Sequence, residues 1–178
     1  MRKQAYSILV YNNPGLLSRM AGLFSRRGYN IESITAGTTA DPRYTRITIV
    51  ASGDELILSQ IEKQVRKMED VIHVKLLNSE NSVRRELLLV KVKADASQRA
   101  EIISIADIFR ARIIDVEKQS LVVELVGTES KLEAFIELLD NHEILELART
   151  GIAGLTRGME DIVYVGTEKN RKLGADSL

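Results

Sequence analysis

The sequence predicts an α+β protein of two tandem βαββαβ units, each an antiparallel sheet with both helices on one face. Three observations carry this expectation. Short β-branched and aromatic runs alternate with segments whose apolar residues recur at helical spacing. The order strand, helix, strand, strand, helix, strand is complete by residue 77. After a polar stretch at 78–82 the same order begins again.

The first strand is 5–11 (AYSILVY), which stops at Asn12-Asn13-Pro14-Gly15. From Pro14 the apolar residues fall at Leu16, Leu17, Met20, Ala21, Leu23 and Phe24, a broad helical face. Asn12 or Asn13 is placed to cap this helix, Pro14 suits its first turn and Gly28 its left-handed exit. Residues 29–36 and 44–51 read as strands joined by a longer connection through Asp41-Pro42. Leu56, Ile57, Ile61, Val65 and Met68 then mark a helix over 54–69, and 71–77 a closing strand.

In the second half, 86–93 (ELLLVKVK) is a strand, 97–110 a helix, 112–118 and 120–126 strands, 129–141 a helix and 144–150 a strand. Residues 23–27 correspond to 108–112 at an offset of 85, and Gly53-Asp54 to Gly127-Thr128 at an offset of 74, which makes the second hairpin about 11 residues shorter. The expected domains are 4–78 and 83–158, with 79–82 as linker. Residues 159–178 lose the pattern and read as a partly disordered tail, apart from a short docking element at 162–165.

Composition narrows the function classes. The chain has 178 residues, 44% of them hydrophobic, with 25 Lys plus Arg against 25 Asp plus Glu. A neutral chain lacks the cationic surplus that nucleic acid or an anionic membrane requires, so neither is an expected partner. It also associates easily, since it lacks self-repulsion. Absence of Cys excludes disulfides, thiolate nucleophiles and zinc or iron–sulfur ligation, and two histidines exclude a histidine-rich metal site. The apolar run near the start is shorter than the ~7–15 residues of a signal peptide, so a cytoplasmic location is expected.

No catalytic constellation is evident: there is no nucleophile elbow, phosphate loop or dinucleotide fingerprint. His73 alternates within a strand and reads as solvent-facing; His142 follows a helix end, where a cation complements the dipole. Two segments stand out. In Asn12-Asn13-Pro14-Gly15-Leu16-Leu17-Ser18, a helix N-terminus offers unpaired N–H groups and partial positive charge, which suit a carboxylate. Gly15 allows close approach to the backbone, Asn12 can accept from an ammonium or donate to a carboxylate, and Leu16 with Leu17 offers an apolar wall. Together they fit a free aliphatic α-amino acid; an ordinary helix cap and turn is the plainer alternative. In Gly28-Tyr29-Asn30-Ile31-Glu32-Ser33-Ile34, Asn30 is disfavoured at a strand start and reads either as a turn residue or as one closing a ligand site from a neighbouring subunit.

At these residues the chain resembles the small regulatory subunits of acetolactate synthase (acetohydroxyacid synthase), and its first unit resembles their amino-acid-sensing ACT domain. The matching stretches are 12–34 (NNPGLLSRMAGLFSRRGYNIESI), 47–74, 83–94, 106–116 and 144–158. The resemblance implies two ferredoxin-like units and a non-catalytic subunit that binds the large catalytic subunit, raises its activity and confers feedback inhibition by a branched-chain amino acid, commonly valine. It implies no cofactor on this chain; thiamine diphosphate, Mg2+ and FAD belong to the catalytic partner. The effector is implied to sit between two self-associated ACT domains, with Asn12, Gly15, Leu16, Leu17 and Ser18 on one side and Asn30 and Ile31 on the other. Asn12 and Asn30 would bond its polar groups, Gly15 and Leu16 would offer backbone N–H, and Leu17 and Ile31 would touch its side chain.

Two other classes share parts of the pattern. A stand-alone ACT regulator of another enzyme or of transcription has the same effector site, although neutral charge and the lack of a helix-turn-helix count against DNA contact. A tandem RNA-binding fold has the same element order but needs exposed aromatics and a basic sheet surface, which Ile47-Thr48-Ile49 and Lys91-Val92-Lys93 do not supply.

Overall fold

In a computed structural model, residues 2–158 are described, and contacts divide them into two units: 2–83 with 152–158, and 84–151. The expectation for 159–178, including the element at 162–165, lies outside the described residues. The division returns 152–158 to the first unit, whereas the sequence pattern carries the second domain to residue 158.

The first unit contains β1 (Arg2–Tyr11), α1 (Leu16–Arg27), β2 (Asn30–Thr38), β3 (Tyr44–Gly53), α2 (Glu55–Val65) and β4 (Val71–Leu77). The strands lie in the order β2-β3-β1-β4, all antiparallel. Alternation along the central strands sends Tyr6, Ile8, Val10, Ile47, Ile49 and Ala51 to one face. There they meet Leu16, Met20 and Phe24 of α1 and Leu58, Ile61 and Val65 of α2 in one core. Both helices thus cover the same face. On the other face Ala5, Val50 and Leu77 pack with Ile152 from the returning segment. That segment, which the sequence pattern does not single out, holds a short strand at Ala153–Thr156, and the Arg157 N–H donates to the Asn81 carbonyl at 2.8 Å.

The second unit contains β5 (Ser82–Lys93), α3 (Arg99–Phe109), β6 (Arg112–Val116), β7 (Ser120–Gly127), α4 (Glu129–Leu138) and β8 (Ile144–Arg149), in the strand order β6-β7-β5-β8. Leu88, Val90, Val92, Leu121, Val123 and Leu125 face Ile102 and Ala106 of α3 and Leu132 and Phe135 of α4. Both units therefore have the βαββαβ, ferredoxin-like form.

The caps correct the internal alignment. α1 and α3 both end on left-handed residues, Gly28 and Arg110, 82 positions apart, while the N-caps of α2 and α4, Asp54 and Thr128, are 74 apart. The second hairpin is thus 8 residues shorter, not 11. The likeness of Phe24 to Phe109 misled the alignment; helix exit, where the chain must reverse, fixes the true correspondence. β2 and β6 agree with it, each carrying a bulge one residue after its second position, at Ile31/Ser33 and at Ile113/Asp115.

Candidate functional site

The loop between β1 and α1 turns on Gly15, which is the helix N-cap with φ of 78°, a conformation glycine adopts without strain. This corrects two expectations. Neither Asn12 nor Asn13 caps α1, which has no side-chain cap, and Pro14 lies before the first turn rather than in it. The asparagines hold the loop from outside instead. Asn12 donates from Nδ2 to the Pro42 carbonyl at 3.1 Å and accepts from Thr45 Oγ1 at 3.1 Å. Asn13 donates from Nδ2 to Asp70 Oδ1 at 2.9 Å.

With no capping side chain and no acidic residue in the first turn, the positive end of α1 is not neutralised by its own sequence. Leu16 N–H makes only a long 3.4 Å bond to Asn13 O. Leu17 is 49% exposed and Ser18 is exposed. The Leu16 side chain, expected as part of an apolar wall, is buried in the core of the unit, because its helical phase is that of Met20 and Phe24. Only its backbone faces the loop.

The corresponding loop of the second unit is already filled. Offset by 82, Asn13 aligns with Asp95, whose Oδ1 accepts from the N–H groups of Ser97 and Gln98 at 2.8 and 3.0 Å and from Ser97 Oγ at 2.6 Å. These bonds hold the Asp95 carboxyl below the ordinary carboxylate range. An internal carboxylate thus sits at the start of α3, where α1 has none.

Asn30 begins β2, directly opposite Ser52 of β3. Its Nδ2 donates to Glu32 Oε1 at 2.8 Å and to Ser52 Oγ at 3.0 Å, and Ser52 Oγ donates to the same Glu32 oxygen at 2.7 Å. The bulge at β2 lets Glu32 reach back to this pair. Asn30 also lines an open concavity with Gly28, Tyr29, Ser52, Asp54 and Ile57. Ile31 beside it is half-buried. In the second unit Arg112 replaces Asn30 and pairs with Glu124.

The structure groups the seven candidate residues into two sets and does not join them within one chain. Asn12, Gly15, Leu16, Leu17 and Ser18 lie at the N-terminal end of α1, and Asn30 and Ile31 beyond its C-terminal end. Twelve residues of helix separate them, about 18 Å.

Sequence reasoning missed Glu32, Ser52, Arg19 and Asp70. Glu32, two residues after Asn30, and Arg19, next to Ser18, lie within the segments that stand out; Ser52 and Asp70 come from segments distant in sequence. His73, read as solvent-facing, is half-buried, and burial, followed by the charges of Arg66 and Lys75, lowers its pKa. His142 is buried, with Nε2 3.7 Å from Glu101 Oε2, too far for a hydrogen bond. Among the described residues no group of three or more His, Asp or Glu is placed to hold a metal ion, and no helix is long and apolar enough to cross a membrane.

The tandem fold and the glycine-turned loop ahead of α1 place the chain in the class of ACT-domain proteins: residues 6–73 match the family described as AHAS small subunit-like ACT domain. Residues 85–158 match the family described as small subunit of acetolactate synthase. A probable acetolactate synthase small subunit of Archaeoglobus fulgidus is 47% identical over 156 residues, 88% of this chain and 98% of that one. The isozyme 3 small subunit of Escherichia coli is 46% identical over 157 residues, covering 88% and 96%. A crystal structure of the acetolactate synthase small subunit from Thermotoga maritima superposes with a TM-score of 0.82 at 41% identity, covering 90% of this chain and all of that one. The chain belongs to the acetolactate synthase small-subunit family.

Proposed function

We propose that the chain is the non-catalytic regulatory subunit of acetolactate synthase. It binds the large catalytic subunit, which carries thiamine diphosphate, Mg2+ and FAD, raises its activity, and confers feedback inhibition by a branched-chain amino acid, valine foremost. The amino acid binds between the ACT domains of two copies: its carboxylate meets the N–H groups of Gly15 and Leu16, Asn12 and Asn30 bond its polar groups, and Leu17 and Ile31 touch its side chain. Ser18 completes the loop side.

The observation that carries this reading is the direction of β2. Thr38 pairs with Thr45, which pairs with Val10, so the end of β2 lies at the Asn12 end of the sheet. Asn30 pairs with Ser52, which pairs with Lys3, at the opposite end. β2 is also an edge strand, with one charged residue, Glu32, and neither Lys nor Pro to deter pairing. Two-fold pairing of β2 with β2 of a second copy is antiparallel, and it carries the second copy's Asn30 to the first copy's Asn12 end. The same operation builds a second, identical site. Separation of the two sets by the length of α1 is then a requirement rather than an obstacle.

The test is co-purification with the large subunit followed by activity assays with valine, leucine and isoleucine. Activity should rise when the chain is added and fall with at least one of the three. No rise on addition would overturn the reading.

A further inference from the structure

Arg19 is the fourth residue of α1, and its side chain runs back over the Gly15 turn. Nη1 donates to the Pro14 carbonyl at 3.2 Å, and a Cβ built on Gly15 would meet the same nitrogen at 3.2 Å. Nε and Nη2 donate to Asp70 Oδ2 at 3.0 and 2.7 Å. Asp70 precedes β4, its side chain is 11% exposed, and its other oxygen accepts from Asn13. The Asp70 backbone carbonyl takes the Tyr11 N–H at 2.9 Å, so one residue grips the loop on both sides.

A cation beside a helix N-terminus opposes the dipole, so the arrangement works against the stability of α1 unless the carboxylate is present. What it yields is geometry. The planar guanidinium sets two donors on one oxygen, Oδ2, and a third on the Pro14 carbonyl, so its orientation is tied to the peptide plane that enters Gly15. Asn13, fixed to the same carboxylate, closes the other side.

We propose that Arg19 and Asp70 are positioning residues of the amino-acid site: they brace the 12–15 loop, so affinity depends on an ion pair that does not touch the ligand. This rests on the function proposed above. The brace joins the site to the turn between α2 and β4, about 50 residues further along the chain.

The test is titration calorimetry on the full chain, with L-valine, L-leucine and L-isoleucine as probes. The unsubstituted chain comes first: no heat with any of the three overturns the effector reading itself and leaves the brace with nothing to position. Given binding, Asp70→Asn and Arg19→Lys should each weaken it by about tenfold or more. Arg19→Lys keeps the charge at the helix end, so its loss reports geometry rather than potential. Glu86→Gln, which breaks the buried Glu86–Arg149 pair of the second unit, serves as a control for lost stability and should leave affinity unchanged. The double variant should be no weaker than the weaker single one. Affinities within about twofold of the unsubstituted chain, in variants that melt cooperatively, would overturn the brace, as would additive losses in the double variant. If Asp70→Asn does not fold, Arg19→Lys decides by the same criterion.

Discussion

The phenol of Tyr6, in the middle of β1, donates to the backbone carbonyl of Leu58 in α2 at 2.8 Å, a bond made 52 residues apart inside the first core. It ties the second helix to the central strand, and burial, then the nearby Glu62 charge, pushes the Tyr6 pKa up to about 12. Tyr6→Phe removes one buried bond and little volume, so it should cost about 1 kcal/mol in denaturant unfolding. The pH dependence has a definite sign. A pKa raised in the folded state means stability that is complete below the ordinary tyrosine value of 10 and is lost as pH rises toward about 12. Tyr6→Phe should remove that alkaline slope; an unchanged slope would place its origin elsewhere.

Asp70 acts at the opposite end of the pH scale. The Asn13 amide and then the Arg19 guanidinium hold its carboxyl below the ordinary aspartate value. Its contribution is therefore present above about pH 4 and is lost as pH falls through the lowered folded value. Acid titration followed by circular dichroism should show a shallower acid limb for Asp70→Asn than for the unsubstituted chain.

The second unit has its own core, so its packing can be probed separately. Phe135 is fully buried and meets Phe109 edge-on at a centroid distance of 5.3 Å. Phe135→Ala should cost about 3–5 kcal/mol, read in the unfolding midpoint.

Asp95 explains why one loop of the two is proposed to take a ligand. Its carboxylate satisfies the N–H groups of Ser97 and Gln98 just ahead of α3, whereas the equivalent loop before α1 carries no acidic side chain of its own. Asp95→Ala should cost about 1 kcal/mol of stability, as loss of local intramolecular hydrogen bonds does, and calorimetry should find amino-acid affinity unchanged. A weakened affinity would mean that the second unit also takes part in binding.

Element order and core faces were legible because two periods, near two and near 3.6, alternate along the chain and the helices end on recognisable residues such as Gly28. Helix starts were less legible. Asn12 and Asn13 look like caps in sequence, but Gly15 takes the left-handed turn itself and frees both amides for Pro42 and Asp70. The strand at Ala153–Thr156 offers four residues and no period to read. At the candidate site, Asn30 was visible as a polar residue at a strand start, where it is disfavoured, and Asn12 as part of the turn that leads into a helix N-terminus. Asp70 and Ser52 were not, because nothing local distinguishes a surface aspartate or a strand serine from one that tertiary contact has made a partner. The arrangement of the two sets at opposite ends of α1 needed the sheet register.

The central claim, that each site draws Asn12 from one copy and Asn30 from the other, is tested most directly by mixing two disabled variants. Asn12→Ala and Asn30→Ala should each abolish amino-acid binding in calorimetry when alone. After subunit exchange in an equimolar mixture, each mixed dimer holds one site with both asparagines intact and one with neither, so tight binding should return at about a quarter of the sites. If the mixture binds no better than either variant alone after verified exchange, the shared-site account is contradicted.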